Sequence, residues 1–450
     1  MSSMQLLPYK QQVSSLLRLG LPIVVGQLGM IILGLADTIM IGHHSTEELA
    51  AAAFVNNVFN LAIIFATGFS YGLTPLIGML QGWGNTQGIG RIFRNALSAN
   101  ASVAVLLTAV MYTVYCFVDK LGQPEELLPH IRPYFVLQLI SLLFIMLFNG
   151  FRQFAEGLRH TRTPMWILLG GNALNIFGNY LLIYGSFGFP EWGLFGAGVS
   201  TLVSRIVMLL IFIGVVAVAR RYKVYREAIL RSRFNRNDFM QLNALGWPIA
   251  LQMGMETAAF SLSAIMVGWL GSIPLAAHQI MISVSTIGFM VYYGMGAALA
   301  VRVSHFMGQK DFPNLRRAVN SGMGIILSLA IVASLFFYLA RTPIIYSFTE
   351  DHEVMVVVSS LIFSLIVYQF GDALQITFAN ALRGTTDVKP MMWIAFFSYF
   401  IVALPVGYLC GFTWGGGVVG VWVAFPAGLF TAGFLFWLRF RYRLQQLMKK

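Results

Sequence analysis

The sequence predicts an all-α integral membrane protein, and three observations support that fold class. Of its 450 residues, 58% are hydrophobic and only 10% are charged, whereas a soluble domain averages about a quarter charged residues. Twelve apolar stretches along the chain reach about 20 residues, the length that crosses a hydrocarbon core. The two halves of the chain also repeat each other. We therefore predict twelve transmembrane helices in two six-helix bundles, related by a pseudo-two-fold axis along the membrane normal.

The twelve apolar stretches are the predicted transmembrane helices. They cover residues 16–41, 51–80, 92–117, 133–157, 164–184, 193–219, 242–270, 275–305, 316–340, 354–382, 390–411 and 416–438. The first stretch is too long for the apolar core of a signal peptide and is predicted to remain as a helix. Two cysteines, Cys116 and Cys410, exclude a scaffold held by several disulfides.

Basic residues predict the orientation of these helices. With both termini in the cytoplasm, all but four of the 29 Lys and Arg residues fall on the inner side, as the positive-inside rule requires. Lys120, Arg132 and Arg341 fall outside, and Arg205 lies within a span. The net charge of +12 is thus a consequence of topology, and no folded basic face for nucleic acid is visible. We expect a multi-pass protein of a bacterial-type inner membrane.

An internal repeat appears when the chain is shifted by 226 residues. The matching segments are residues 19–23 with 245–249, 39–42 with 265–268, 49–51 with 275–277, and, at a shift of 224 to 226, Leu158-Arg159 and Pro164 with Leu382-Arg383 and Pro390. Because six spans are an even number, both halves enter from the same membrane side and form parallel repeats. We predict an N-terminal bundle over 1–219, a cytosolic linker over 220–241 and a C-terminal bundle over 242–450, with a cleft between the bundles.

Three acidic residues remain well inside spans: Asp37, Glu256 and Asp372. An ionised carboxylate at the bilayer centre costs about 2.5–3.5 kcal/mol on insertion scales. Each acid must therefore bind a proton, bind a metal cation or face water, and the sequence does not choose among these. Asp37 lies near the outer end of its span, where an interfacial acid is an equal alternative. Arg205 is the only base deep in a span, so we expect an interior that attracts cations.

Polar side chains accompany these acids. Tyr368 and Asp372 are four residues apart, as are Asn175 and Asn179, so each pair shares a helix face. Such pairs offer oxygen ligands, although polar contacts between helices are their ordinary role. We find no catalytic arrangement of His, Cys, Ser and acidic residues. The sequence predicts no enzyme and no catalytic residues.

The ordered set of motifs resembles the multidrug and toxic compound extrusion (MATE) transporters, specifically the NorM-like branch. The resemblance covers nearly the whole chain and is carried by Leu21-Pro22, Asp37 to Gly42, Thr74-Pro75, Asn172 to Asn179, Gly196-Ala197-Gly198, Met253 to Thr257, Ala277 to Ile280, Tyr368 to Asp372, Leu382-Arg383-Gly384 and Gly420-Val421-Trp422.

The resemblance implies roles for individual residues. Asp37 would take up a proton or Na⁺ in the first half, with Asn175, Asn179 and Thr201 as polar neighbours. Some members have an aspartate where this chain has Asn179, which weakens the case for a strong first-half metal site. Glu256, Asp372 and Tyr368 match the second-half cation site, where the two acids would ligate Na⁺. Gln279 and Asp351 match positions near bound drug in some relatives.

The function that the resemblance implies is cation-coupled antiport, with Na⁺ or H⁺ as the coupling ion and no other cofactor. Exported substrates would be cationic amphipathic drugs and toxic compounds. We expect small organic cations and membrane lipid as partners, no nucleic acid, and a monomer. A lipid-linked glycan flippase is the second hypothesis, but it requires several basic residues in the cavity. A membrane-embedded enzyme is the third, but it requires clustered His, Asp or Ser residues.

Overall fold

The computed structural model describes residues 6–449, and over this range the chain consists of helices and connecting turns without a strand. Twelve helical segments are long and apolar enough to cross a membrane. Each of them overlaps one predicted span, so the fold class is confirmed. Lys450, which the predicted topology assigns to the inner side, lies outside the described residues.

The helices follow each other with short connections. They are α1 Tyr9–His44, α2 Thr46–Ser70, α3 Leu73–Gly82, α4 Thr86–Cys116, α5 Leu128–Gly157, α6 Arg162–Ile183, α7 Gly193–Val218, α8 Lys223–Arg231, α9 Arg236–Gly268, α10 Ser272–Gln309, α11 Phe312–Leu339, α12 Arg341–Phe348, α13 His352–Gly384, α14 Lys389–Phe396, α15 Leu404–Tyr408, α16 Gly417–Trp422 and α17 Ala424–Lys449. Segments of π-helix, Phe397–Ala403 and Leu409–Thr413, continue α14 and α15.

Packing divides the chain into two compact units. The N-lobe is Val25–Ala250, and the C-lobe holds the residues up to Val24 together with those from Leu251 onward. The division therefore falls inside α1 and α9 and not at the linker 220–241. Both helices run on through a proline, Pro22 or Pro248, and change lobes two residues later. The boundaries predicted at residues 219 and 242 follow the sequence repeat and do not coincide with the boundaries of the two compact units.

Two glycines of the repeat lie at close helix contacts within the lobes. A Cβ at Gly20 would overlap the sulfur of Met295 in the C-lobe, and a Cβ at Gly246 would lie 2.6 Å from the ring of Phe69 in the N-lobe. Gly20 and Gly246 are 226 residues apart, and so are Phe69 and Met295. The repeat found in the sequence is thus also a repeat of helix contacts, since small residues allow close approach in lipid.

We expect the substitution Gly246→Val to destabilise the protein by about 1–3 kcal/mol, as overpacking typically does. The new side chain would meet the Phe69 ring and its carbonyl oxygen, which lies 2.9 Å from the Cβ position. Gly20→Val should cost less, because Met295 is unbranched and can move away. Gly214→Val is the control, since no atom lies within 4 Å of its Cβ position. Equal melting temperatures of the detergent-solubilised Gly246→Val and Gly214→Val proteins would contradict the expectation.

Two turns on the predicted inner side change the alignment of one segment of the repeat. In one turn Arg159 has φ 66° and its N–H donates to Glu156 O; in the other, Thr386 has φ 59° and its N–H donates to Arg383 O. These equivalent turns are 227 residues apart. The match of Leu158-Arg159 to Leu382-Arg383 is therefore wrong, because the helix before the turn extends further in the second half. Arg383 occupies the position that Glu156 occupies in the first half.

Candidate functional site

Asp372 lies in the middle of α13 and is the most isolated of the internal acids. Its side chain is 0% exposed, and neither carboxylate oxygen accepts a hydrogen bond from a described residue. One turn later on the same helix, the buried Oε1 of Gln375 is also without a donor in the described chain. Three buried acceptor oxygens therefore lie on one helix face. Such groups are costly to bury without a partner, so the face is suited to a cation or a proton.

Glu256 lies close enough to Asp372 for their charges to interact. Unlike Asp372, it accepts hydrogen bonds from neighbouring side chains. Gln252 Nε2 donates to Glu256 Oε2 over 3.0 Å, and Gln375 Nε2 donates to the same oxygen over 3.1 Å. Arg383 Nη2 donates to Gln252 Oε1 over 2.8 Å. The positive charge of Arg383 thus reaches Glu256 through one amide. The two acids of this cluster differ, since one is hydrogen-bonded and the other is not.

Aromatic side chains form one side of this cluster. Phe260, one helical turn after Glu256, stacks on Phe425 with ring centroids 4.7 Å apart and meets Tyr368 edge-on at 6.3 Å. A small cavity is lined in part by Phe260, Phe425 and Tyr399. Ring faces carry partial negative charge, so aromatic groups beside carboxylates add to the attraction for cations.

The structure therefore places Glu256, Asp372 and Tyr368 in one part of the C-lobe, and it adds residues that the sequence reasoning missed. Those are Gln252, Gln375, Tyr399 and Arg383. Gln252 precedes Glu256 by four residues, and Gln375 follows Asp372 by three, so helical spacing was an available signal. Tyr399, whose hydroxyl lies 3.2 Å from Gln375 Nε2, is on a different helix and had no such signal.

In the N-lobe the residues expected around Asp37 lie in hydrogen-bond contact. Asn179 Nδ2 donates to Asp37 Oδ1 over 2.6 Å. The amide orientation of Asn175 that satisfies its neighbours turns its nitrogen to Asp37 Oδ1 at 3.0 Å and its oxygen to the Thr201 hydroxyl at 3.1 Å. Asn175 and Asn179 are buried, and Asp37 is half-buried. One carboxylate oxygen is thus held by two amides.

Arg205 is half-buried in the N-lobe. Its Nη1 donates to Gln138 Oε1 over 3.1 Å and to the Ser141 hydroxyl. It lies within electrostatic reach of Asp37, yet among the described residues it forms no ion pair with an acid.

Gln279 and Asp351, the two residues expected near bound drug, are not among the described residues that hydrogen-bond to Asp37 or Glu256. Asp351 caps α13 and accepts from the Glu353 N–H over 2.9 Å. By the rise of a helix, it is about 30 Å from Asp372 along α13. Gln279 is exposed on α10. Within residues 6–449 no group of three or more His, Cys, Asp and Glu side chains is arranged to hold a metal ion.

Comparison with known proteins places these sites in a family context. The family model MatE matches residues 22–181 and 248–409, one segment in each half. The Multidrug resistance protein NorM of Photobacterium profundum is 30% identical over an alignment of 448 residues that covers 96% of this chain and 96% of that protein.

Solved structures share the fold at lower identity. An outward-facing multidrug resistance MATE family transporter of the MOP superfamily is 20% identical, with a TM-score of 0.88 over 99% of this chain and 100% of that one. A MOP superfamily transporter from Pyrococcus furiosus, described as having a binding pocket of reverse polarity that suggests a different function, is 19% identical. Its TM-score is 0.85, again over 99% and 100% of the two chains.

Proposed function

Since the chain belongs to the MATE family of membrane transporters, we propose that it is a cation-coupled antiporter that exports cationic amphipathic compounds by alternating access. The family and its twelve candidate spans make it a multi-pass membrane protein. We propose further that it lies in a bacterial inner membrane with both termini in the cytoplasm, because that orientation places nearly all Lys and Arg residues inside.

The observation that carries this proposal is the set of buried oxygens without donors on α13. Asp372 Oδ1 and Oδ2 and Gln375 Oε1 accept no hydrogen bond from the described residues, so a proton or a cation would satisfy them, and Glu256 adds a second carboxylate within electrostatic reach. A proton would neutralise Asp372 directly. Na⁺ would be ligated by Glu256 and Asp372 with the amide oxygen, since hard cations prefer oxygen ligands.

The exchange follows from competition between two kinds of cation. An ion that enters from the outer side neutralises Asp372 and Glu256 and removes the charge that holds an organic cation. The ion-loaded protein then reopens inward, releases the ion and accepts a new substrate. A ligand shifts such an equilibrium only by its differential affinity for the two states. Asp37 would provide a further exchange site in the N-lobe.

The substrate class rests on local charge and not on the fold. The name of the Photobacterium profundum relative describes multidrug resistance, while the Pyrococcus furiosus transporter shows that pocket polarity varies on the same fold. In this chain the carboxylates of Glu256 and Asp372 lie beside aromatic rings in the C-lobe, which is a combination that attracts organic cations.

Proteoliposomes loaded with a fluorescent cationic dye test this proposal. We expect dye release to accelerate when Na⁺ or protons are supplied outside, with each gradient imposed separately and the membrane potential clamped. A proton gradient supplies about 1.4 kcal/mol per pH unit. Protein-free liposomes are the control. If neither gradient accelerates release from liposomes that contain the protein, cation antiport is wrong.

A further inference from the structure

The linker 220–241 carries a basic surface that the proposed ion exchange does not use. Most of its Lys and Arg side chains are exposed and form no ion pair within residues 6–449; they are Arg220, Arg221, Lys223, Arg231, Arg233 and Arg236. A dense set of like charges without counter-charges attracts an anionic partner.

Contacts with α4 hold the linker at the level where that helix enters its predicted span. The backbone of α8 packs on Gly90, where a Cβ would lie 2.7 Å from the Cβ of Ala228. Further along, the Asn235 N–H donates to Asn95 Oδ1 over 2.9 Å. The predicted span in α4 begins at residue 92, so both contacts lie at the expected edge of the hydrocarbon core. The linker is therefore expected to lie along the membrane–water interface.

The exposed face of α8 combines charges with apolar side chains. Lys223 and Arg231 are exposed, and beside them Val224 and Leu230 are 61% and 73% exposed. Glu227 lies four residues from each basic residue, yet in the described chain it forms no ion pair with either. Basic groups beside exposed apolar side chains are typical of helices that lie among lipid headgroups, because the apolar groups reach the acyl boundary.

We propose that α8 binds anionic phospholipids, with Lys223 and Arg231 on the phosphate groups and with Val224 and Leu230 against the acyl chains. In the proposed orientation these lipids belong to the inner leaflet. A phospholipid fits this surface better than a nucleic acid does, because a polynucleotide offers no acyl boundary for the apolar side chains. The inference is independent of the coupling ion and of the exported compound.

A fluorescent label on α8 tests this surface in the full-length protein. The label is attached to Leu230→Cys in a chain that also carries Cys116→Ser and Cys410→Ser. The protein is reconstituted in vesicles of phosphatidylcholine and phosphatidylglycerol, and a quenching doxyl group is carried by one lipid or, in matched vesicles, by the other. We expect phosphatidylglycerol to quench the label at least about twofold more strongly, since one Lys or Arg near the surface favours anionic lipid about fivefold.

Three variants separate this face from a general attraction to the membrane. Lys223→Gln combined with Arg231→Gln should lower the ratio of the two quenching strengths, whereas Glu227→Gln should raise it, because it removes the acid between the two basic residues. Lys310→Gln combined with Arg316→Gln removes the same charge from exposed residues of the C-lobe and should leave the ratio unchanged.

Equal quenching of the wild type by the two lipids, or an unchanged ratio in the Lys223 and Arg231 variant, would overturn the lipid site. An equal fall in the Lys310 and Arg316 control would also overturn it, because the effect would then follow net charge. Inorganic phosphate at constant ionic strength should not change the ratio; if phosphate removes the preference, the surface binds free phosphate and the lipid assignment is wrong. Cation antiport is tested separately by dye release and does not depend on these results.

Discussion

We expect the substitution Asp372→Asn to lower gradient-driven dye export to the rate of protein-free liposomes, with no loss of stability. The Asp372 carboxyl is 0% exposed and accepts no hydrogen bond from the described residues. The substitution Asp372→Asn keeps the shape of the side chain and breaks no contact of those oxygens. It removes the carboxylate with which position 372 would exchange a proton or a cation.

Export rate and melting temperature measured on the same protein check this result. The melting temperature should stay the same or rise, because an unpaired buried carboxyl is unfavourable. Asp119→Asn is the control, since Asp119 is exposed and paired with Arg132, and it should export at the wild-type rate. Export by Asp372→Asn at the wild-type rate would show that the coupling site is not at this residue.

Glu256→Gln makes a useful contrast to Asp372→Asn. We expect it to reduce export and also to lower the melting temperature. Gln252 and Gln375 both direct their amide nitrogens at Glu256 Oε2, and these charge-assisted hydrogen bonds weaken when a neutral amide replaces the carboxylate. The two substitutions should therefore differ in their effect on the melting temperature, although both should reduce export.

The second large effect is expected from Trp422→Ala, which should destabilise the C-lobe by about 3–5 kcal/mol. Trp422 is 0% exposed, and its Nε1 donates to His278 Nδ1 over 3.2 Å. Its ring meets Phe425 edge-on with centroids 5.1 Å apart. Removal of the indole leaves a cavity behind Phe425, the residue that stacks on Phe260 beside the carboxylate cluster. Substrate binding should therefore weaken as well.

Thermal unfolding of the variants in the same detergent checks this expectation. Trp422→Phe keeps an aromatic ring and loses the N–H, so its melting temperature should lie between those of the wild type and Trp422→Ala. Trp393→Ala is the control, because Trp393 is 67% exposed. If Trp422→Ala and Trp393→Ala melt at the same temperature, Trp422 has no special packing role.

The number of spans and the class of the fold followed from the sequence alone. Hydropathy is a property of each segment by itself, because the bilayer sets both the length and the composition of a helix that crosses it. The internal acids Asp37, Glu256 and Asp372 were visible for the same reason, since charges are rare within such segments. Their roles remain predictions, and the experiments above test two of them.

The surroundings of Glu256 depended on the tertiary structure. Arg383 was counted as an ordinary inner-side basic residue, yet it donates to Gln252, which donates to Glu256. Tyr399 comes from another helix and lies near Gln375. Nothing in a single segment indicates which face of one helix meets which face of another.

The division into lobes and the local register of the repeat also depended on the tertiary structure. The helices α1 and α9 change lobes after Pro22 and Pro248 without a break that a sequence pattern would reveal. The turns at Arg159 and Thr386 shift the repeat by one residue. The sequence alone determined which segments enter the membrane, because that depends on transfer from water to lipid. The tertiary structure decided which polar groups meet, because inside the membrane pairing depends on packing between helix faces.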